Sequence, residues 1–295
     1  MIDNSFFEKI KRLRLAVSKK STSVMQGARK SAAKGSSAEF SDFREYMQGD
    51  DIRRIDWNAY GRTERLFVKE YVEERESYIS ILLDTSASMD YGEPSKKSLA
   101  SELAAALSYI ALSGNDHVFL YDMQRMDKPL SLSGGVKAFG IAGSYLDGVN
   151  FSGSLDIYDS VRKMKKRGSG LTIIISDLMD ERLVISPERQ ENFEKLQKLL
   201  AYNKQQAVFI HVLDRTEADP SFMDTHNLID MENEKSRIRV TMDSGTVGEY
   251  KKAFDEFSKM IEKTSSKYQN VYVRAFTDEG AERIIFEGLR EIYDI

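Results

Sequence analysis

Three side chains that carry oxygen, Asp84, Ser86 and Ser88, follow directly on the apolar run 78–83. The run predicts a buried strand, and the small hydroxyl residues after it predict a turn that leads into a helix. Carboxylate and hydroxyl oxygens are the ligands that hard divalent cations such as Mg2+ or Mn2+ prefer. The alternative role for these residues is structural, because serine and aspartate also cap helices and turns.

A second carboxylate, Asp177, follows another apolar run, 171–176. If both runs are central, parallel strands, their carboxyl ends lie at the same edge of the sheet, where open α/β sheets bind their ligands. We therefore expect Asp84 and Asp177 in one crevice. This convergence of two acids favours a divalent-cation site over a purely structural role for the turn.

The elements that must position these side chains alternate between strand and helix along the chain. Apolar or β-branched runs predict strands over 66–73, 78–83, 117–122, 171–176, 207–213 and 271–276. Periodicity and composition predict helices over 99–112, 137–149, 154–166, 188–203, 247–267 and 279–292. We expect 66–73 to be an antiparallel edge strand beside the central strand, 129–132 to pair with 117–122, and 228–242 to form a polar hairpin. The alternation predicts an α/β fold with a doubly wound, mostly parallel, Rossmann-like central sheet flanked by helices.

The composition of the 295-residue chain is that of a globular protein, 41% hydrophobic and 31% charged. The absence of cysteine excludes disulfides, zinc–thiolate sites and thiol catalysis, and we expect a cytoplasmic protein. A formal net charge of −4 indicates no polyanionic partner such as a nucleic acid. No apolar run approaches the ~20 residues of a membrane-spanning helix, and we expect no signal peptide.

The N-terminal region is basic, with nine lysines or arginines against two acidic residues, whereas the rest of the chain is acidic. An apolar residue recurs at every third or fourth position over 2–20, which predicts an amphipathic helix with the stripe Phe6, Ile10, Leu13 and Val17. We expect this stripe to pack on the chain's own body; the alternative is a membrane-surface or partner-binding helix. The chain then divides into an N-terminal helix and linker, 1–38, and one domain, 39–295, whose first part, 39–77, is a loop and an edge strand.

A segment before the first central strand mixes acids, arginines and aromatic residues without a regular period. Its distinctive members are Arg44, Tyr46, Gly49, Asp50, Asp51, Arg53, Ile55, Asp56, Trp57 and Arg62. We expect an irregular structural loop in which arginines and aspartates form ion pairs and the tryptophan packs beneath them. The candidate pairs draw one partner from Arg53, Arg54 and Arg62 and the other from Asp50, Asp51 and Asp56. The alternative is a surface for a partner protein.

The order of residues from Glu39 to Met89 resembles that of the bacterial family called domain of unknown function number fifty-eight. The resemblance rests on the pattern Arg-x-Tyr-x-x-Gly-Asp-Asp-x-Arg-x-Ile-Asp-Trp, on the arginine that follows it, on Val-Lys-Glu at 68–70, and on Asp-x-Ser-x-Ser at 84–88. Proteins of this family carry a von Willebrand factor A-like domain. The resemblance therefore implies a metal-ion-dependent adhesion site built from the two strand-end acids and the two serines.

The family pattern also has a threonine in a loop between the two acids, and here the corresponding stretch 151–156 offers Ser154, with Ser152 as the other candidate. In similar sites the hydroxyls touch the ion, the acids act directly or through water, and a partner's carboxylate fills the open position. Such proteins are commonly linked with MoxR-type AAA+ ATPases and with the assembly or activation of other proteins. The resemblance thus implies a non-enzymatic interaction module with an ATPase or another acidic protein as partner.

An enzyme is the alternative, because a magnesium-dependent phosphatase of the haloacid-dehalogenase type also places an aspartate after a central strand. That chemistry uses a second acid two residues further on as general acid and base. The chain has Ser86 at that position. We therefore expect no catalytic activity.

Overall fold

The structure is a computed structural model of the chain. It describes residues 4–16, 38–50, 52–73, 77–166, 168–184, 186–220, 224–229 and 237–293. Two compact units divide the chain, and each is described by itself: a central unit, Met1–Ser21 with Ser77–Ile295, and a hairpin unit, Thr22–Glu76. Within the described ranges, no helix has both the length and the apolar character needed to cross a membrane.

The helices and strands of the described residues are numbered in chain order. The helices are α1 (Asn4–Ile10), α2 (Trp57–Thr63), α3 (Lys96–Ser113), α4 (Phe139–Asp147), α5 (Ile157–Lys163), α6 (Glu181–Val184), α7 (Arg189–Tyr202), α8 (Arg215–Ala218), α9 (Ser244–Lys267) and α10 (Gly280–Arg283). The strands are β1 (Ala38–Glu45), β2 (Phe67–Glu73), β3 (Tyr78–Leu83), β4 (His117–Asp122), β5 (Leu130–Leu132), β6 (Gly170–Ser176), β7 (Gln205–Leu213), β8 (Asp224–Ile229), β9 (Arg237–Met242) and β10 (Val271–Phe276).

The central unit is built on a sheet with the strand order β10-β7-β6-β3-β4-β5. All neighbours are parallel except β5, which pairs antiparallel with β4, as the predicted hairpin requires. The predicted doubly wound α/β fold is confirmed. From β3 the chain proceeds to β4 on one side and then to β6 on the other side. Such a reversal of strand order marks the place where open α/β sheets bind ligands, at the carboxyl ends of the two strands.

Both faces of the sheet are covered, which is why the central strands β3 and β6 are mostly apolar on both sides. In β3 the side chains alternate, so that Ile81 and Leu83 enter one core and Leu82 enters the other. The first core lies under α1, α3 and α4, and the second under α5, α7 and α9. The strand before Asp84 is thus held from both sides, and the loop at its end has a rigid base.

The N-terminal helix packs on the central unit, as predicted. Phe6 and Ile10 are buried in the first core, and the Phe7 ring lies 4.8 Å from the Tyr109 ring between centroids. These side chains are therefore not available to a membrane surface. The predicted length is wrong, because α1 ends at Ile10 and a turn follows it. Val17 lies outside the described residues.

Other boundaries also differ from prediction. Helix α5 begins at Ile157 instead of residue 154, because Asp156 caps it by accepting a hydrogen bond from the Asp159 amide. The predicted final helix is α10 followed by a π-helical turn, Ile284–Gly288, and a 3-10 turn. The polar hairpin is present as β8 and β9, and its turn lies outside the described residues.

The structure of the hairpin unit differs from two predictions made from the sequence. Strand β2 pairs antiparallel with β1 in a separate two-stranded sheet and is not an edge strand of the central sheet. Residues that were expected in an irregular loop form β1, since the aromatic and charged side chains of 38–45 also suit a two-stranded ribbon. The mixed composition hid this strand because neither of its faces is continuously apolar.

Two aspartates fix the segment between β1 and β2. Asp50 accepts two parallel hydrogen bonds from the Arg44 guanidinium, both 2.7 Å long, and this ion pair lowers the pKa of Asp50 to about 2. The pair joins Asp50 to Arg44 rather than to one of the three arginines expected. Asp56 is buried and caps α2 by accepting hydrogen bonds from the amides of Asn58 and Ala59, 2.9 and 3.1 Å long.

The expected packing of Trp57 is wrong. Trp57 is the first residue of α2, its residue surface is 62% exposed, and α2 has no buried residue. Its ring contacts Tyr60 edge to face, with 6.2 Å between centroids. Arg62 donates to the Asn58 carbonyl of the same helix, and Arg53 is exposed. Asp51 and the Arg54 side chain lie outside the described residues.

We predict that Asp56→Ala loosens α2 whereas Trp57→Ala does not. Loss of an N-cap side chain costs about 1 kcal/mol, which corresponds to roughly fivefold faster amide hydrogen exchange over residues 58–63 if that helix opens locally. Asp56→Asn, which keeps a capping oxygen, is the matched control and should exchange more slowly than Asp56→Ala. Faster exchange in Trp57→Ala than in Asp56→Ala would contradict the capping account.

Candidate metal centre

The two predicted acids lie at the carboxyl ends of neighbouring strands. Strands β3 and β6 are adjacent and parallel, with Leu83 opposite Ile175, and the Asp84 amide donates to the Ile175 carbonyl at 2.9 Å. Asp84 and Asp177 therefore begin the loops on the two sides of the switch point. Their residues are 3% and 2% exposed, so both carboxylates are removed from bulk water.

Every oxygen of the Asp84 carboxylate accepts a hydrogen bond. Oδ1 accepts from the Ser86 amide at 2.8 Å and from the Ser86 hydroxyl at 2.6 Å. Oδ2 accepts from the Ser176 hydroxyl, which in turn accepts from the Leu178 amide. Ser176 is a part of the site that sequence reasoning missed, although it is the residue just before the predicted ligand Asp177.

The two serines of the loop bridge the two acids. Ser86 Oγ and Ser88 Oγ are 3.0 Å apart, and the Ser88 hydroxyl also hydrogen-bonds the Asp177 carboxylate. Four of the five predicted ligands thus form a continuous arc of oxygens in the order Asp84, Ser86, Ser88, Asp177. We name this set the oxygen arc.

The loop that carries Ser152 and Ser154 lies beside the oxygen arc. The Ser152 amide donates to the Thr85 carbonyl, and the Ala87 amide donates to the Gly153 carbonyl, each at 2.9 Å. Both serine residues are exposed. The loop therefore reaches the edge of the site, and which hydroxyl would face an ion stays a prediction.

A third strand end supports the same loops. Asp122, the last residue of β4, accepts from the Thr85 hydroxyl at 2.6 Å and from the Gln124 amide at 3.0 Å. The Gln124 side-chain amide donates to the carbonyls of Thr85 and Ser152. Sequence reasoning overlooked Asp122, although an acid at the end of the neighbouring predicted strand was a signal that could have found it.

The most important residue of the site that the sequence analysis did not predict is a buried lysine. Lys96 is 1% exposed, and its ammonium donates to Asp177 Oδ2 at 2.9 Å and to Glu217 Oε1 at 2.6 Å. Glu217 lies on α8, where its other oxygen accepts from the Asp214 amide at 2.8 Å. Nothing in the sequence distinguished Lys96 from Lys97 beside it, and only the fold brings Lys96 to the acids.

The two acids differ in their ionisation. Burial, with the nearby charge of Asp177, raises the pKa of Asp84 from its usual 3.8 to about 6. Although burial acts in the opposite direction, the charge and hydrogen bond of Lys96 lower the pKa of Asp177. Burial lowers the pKa of His211 to about 4, and its Nδ1 lies 2.7 Å from the Tyr272 hydroxyl. At neutral pH this histidine is uncharged, so the positive charge beside Asp177 is that of Lys96.

The donor set fits Mg2+ or Mn2+. Octahedral Mg2+ with oxygen bonds of about 2.1 Å places neighbouring ligands about 3 Å apart, which matches the separation of the two serine hydroxyls. Oxygen-only ligands suit this class of cation, which keeps several waters and needs few protein ligands. In the described residues, no cluster of three or more histidine, cysteine, aspartate or glutamate side chains could hold a metal, so a cation here would depend on the hydroxyls.

Comparison with known proteins places the chain in a family. The family model described as "Protein of unknown function DUF58" matches residues 42–260, most of the chain. The chain belongs to this family. It is also similar to uncharacterized proteins of Mycobacterium bovis and Mycobacterium tuberculosis, with 32% identity over 111 residues. That match covers 37% of this chain and 35% of each relative, so the chain spans about a third of the curated relatives it matches.

We predict that Asp84→Asn stabilises the protein at neutral pH when EDTA removes divalent cations. Because the folded-state pKa of Asp84 lies above the unfolded value, the native state loses stability as pH rises from about 4 to about 6. The asparagine removes this loss, which amounts to about 3 kcal/mol at neutral pH. Thermal or urea unfolding at several pH values should show a gain that disappears near pH 4. A variant less stable than the wild type at neutral pH would contradict the assignment.

Proposed function

We propose that this protein is a non-enzymatic protein-interaction module of the von Willebrand factor A type. In this proposal the oxygen arc holds Mg2+ or Mn2+ as a metal-ion-dependent adhesion site, and the cation binds an acidic side chain of a partner protein. Ser154 or Ser152 adds a further hydroxyl from the neighbouring loop. The observation that supports the proposal best is the pair of strand-end acids at the switch point, joined by Ser86 and Ser88.

The same geometry favours binding over catalysis. The position two residues after Asp84, where a phosphatase of the haloacid-dehalogenase type has its acid and base, is occupied by Ser86. The hydroxyl of Ser86 donates to Asp84 itself at 2.6 Å. Asp84 accepts hydrogen bonds on both oxygens, whereas an attacking carboxylate needs a free oxygen directed at its substrate.

The family supplies the proposed partner. Proteins with the same motif are commonly linked with MoxR-type AAA+ ATPases, and we propose that such an ATPase, or a client protein that it acts on, presents the carboxylate. The module would then assist the assembly or activation of other proteins in the cytoplasm. A cation with few protein ligands suits this role, because an exchangeable water can give way to the partner's carboxylate.

We predict that Asp84→Ala abolishes Mg2+-dependent partner binding and leaves the fold intact. Mg2+ binding is measured by isothermal titration calorimetry and the fold by circular dichroism. Partner binding is measured by pull-down from the organism's own lysate in EDTA, with Mg2+ restored to a parallel sample. Asp147→Asn, which removes an exposed carboxylate at the end of α4, is the control. The site is wrong if Asp84→Ala still binds Mg2+ and captures its partner in a Mg2+-dependent way.

We also predict that the purified chain does not hydrolyse p-nitrophenyl phosphate or ATP above background in the presence of Mg2+. The reason is the missing acid at position 86. Turnover that disappears in Asp84→Asn and persists in Asp147→Asn would identify the protein as a metal-dependent phosphatase.

A further inference from the structure

Two features of its position disfavour the positive charge of Lys96: burial and the start of a helix. A lysine that is 1% exposed has lost nearly all contact with water, and a buried charge that lacks a partner costs several kcal/mol. It is also the first residue of α3, an 18-residue helix, where the helix dipole disfavours a positive charge. The two carboxylates of Asp177 and Glu217 offset both effects, at 2.9 and 2.6 Å from Nζ.

The surroundings of Lys96 hold its ammonium in place. Its backbone amide donates to the Tyr91 carbonyl at 2.8 Å, and the ammonium lies 5.9 Å from the centroid of the Tyr91 ring. The second partner, Glu217, is fixed in turn by the Asp214 amide, and the Glu217 carbonyl accepts from the Tyr250 hydroxyl at 2.7 Å. The contact between Lys96 and Glu217 is therefore anchored at both ends.

We propose that Lys96 is the built-in counter-charge of the cation site and sets how strongly the site binds metal. By bonding Asp177 Oδ2, the ammonium offsets one of the two acids of the oxygen arc, and Asp84 alone stays without a cationic partner in the arc. A divalent cation at Ser86 and Ser88 then meets less negative charge than it carries. The site binds the cation weakly by itself and firmly when a partner adds a carboxylate.

This inference rests on the proposed function and deepens it, because it explains why metal and partner bind together. It also predicts opposite effects on cation affinity for the removal of Lys96 and for the removal of the Glu217 charge. Without Lys96, Asp177 presents its full charge to the cation, and affinity rises. Without the Glu217 charge, Lys96 acts on Asp177 alone, and affinity falls.

The test is isothermal titration of the full chain with Mn2+, with and without sodium acetate as the carboxylate probe, at constant ionic strength. Compared are the wild type, Lys96→Met, Glu217→Gln, and the double variant, which removes one charge of each sign. Lys97→Met removes the same charge one residue further on, where the side chain is 42% exposed and pairs with Asp90 instead of the two acids, and is the matched control. Asp84→Ala is the variant that removes the site.

We expect Lys96→Met to bind Mn2+ about tenfold more tightly than the wild type or better, since one unit charge near the ion is removed. Glu217→Gln should bind Mn2+ more weakly, and Lys97→Met like the wild type. Acetate should raise the Mn2+ affinity of the wild type and have less effect in Lys96→Met. A generally disturbed fold would lower affinity in both single variants and would not produce opposite signs.

Two patterns of results distinguish a failure of this inference from a failure of the proposed function. If the wild type binds Mn2+, Asp84→Ala does not, and Lys96→Met is unchanged or weaker, then Lys96 is a structural ion-pair partner and the inference is overturned alone. If the wild type and all variants fail to bind Mn2+, both the inference and the proposed cation site are overturned. Where Lys96→Met does not fold, the double variant should bind Mn2+ more tightly than Glu217→Gln, because it also removes the ammonium from Asp177. Equal or weaker binding in the double variant overturns the inference.

Discussion

Two carboxylates buried at the ends of neighbouring parallel strands are the constraint on which the rest of this structure depends. Desolvation makes each ionised carboxylate costly unless hydrogen bonds and opposite charge offset it. The carboxylates of Asp84 and Asp177 are stabilised by different groups. Asp84 receives three hydrogen bonds from Ser86 and Ser176, whereas Asp177 receives the Lys96 ammonium. The resulting separation of their pKa values gives one acid that is readily ionised and one whose charge a cation would stabilise.

This arrangement connects distant parts of the chain. The reversal of strand order beside β3 brings the loops after β3 and β6 together, and the end of β4 holds the first of these loops through Asp122 and Thr85. Lys96 extends the network to α8, and Tyr250 connects α8 to α9. The contacts of the oxygen arc thus continue through Lys96 and Glu217 to helices α8 and α9, which follow β7. The central sheet supplies the rigid base from which these loops project.

Much of the central unit was predictable because its signals are local. The run before Asp84 is apolar apart from Ser80 because both faces of β3 are covered. The alternation of strands with helices indicates a parallel sheet whose strand ends hold the acids. The family motif added the serines. What could not be predicted depends on tertiary contacts. Lys96 resembles any lysine at the start of a helix in the sequence, and its burial depends on the tertiary contacts with Asp177, Glu217 and Tyr91.

The hairpin unit shows the opposite case. Its sequence is distinctive, yet β1 was missed because its mixed residues have no continuous apolar face, and Trp57 was placed in a core that α2 does not have. Composition indicated that the segment is held by charged side chains, and Arg44 with Asp50 supplies such a pair. The choice of partners depends on backbone geometry: Arg44 stands near the end of β1, close to the turn that carries Asp50.

The most direct test of the account is a crystal structure of the full chain grown or soaked with Mn2+, with anomalous diffraction data collected to locate the metal. The account predicts one strong anomalous peak about 2 Å from the hydroxyl oxygens of both Ser86 and Ser88, between Asp84 and Asp177. Lys96 should remain bonded to Asp177 in that structure. A well-diffracting crystal with no peak at the oxygen arc, or with its metal bound elsewhere, would contradict the central claim.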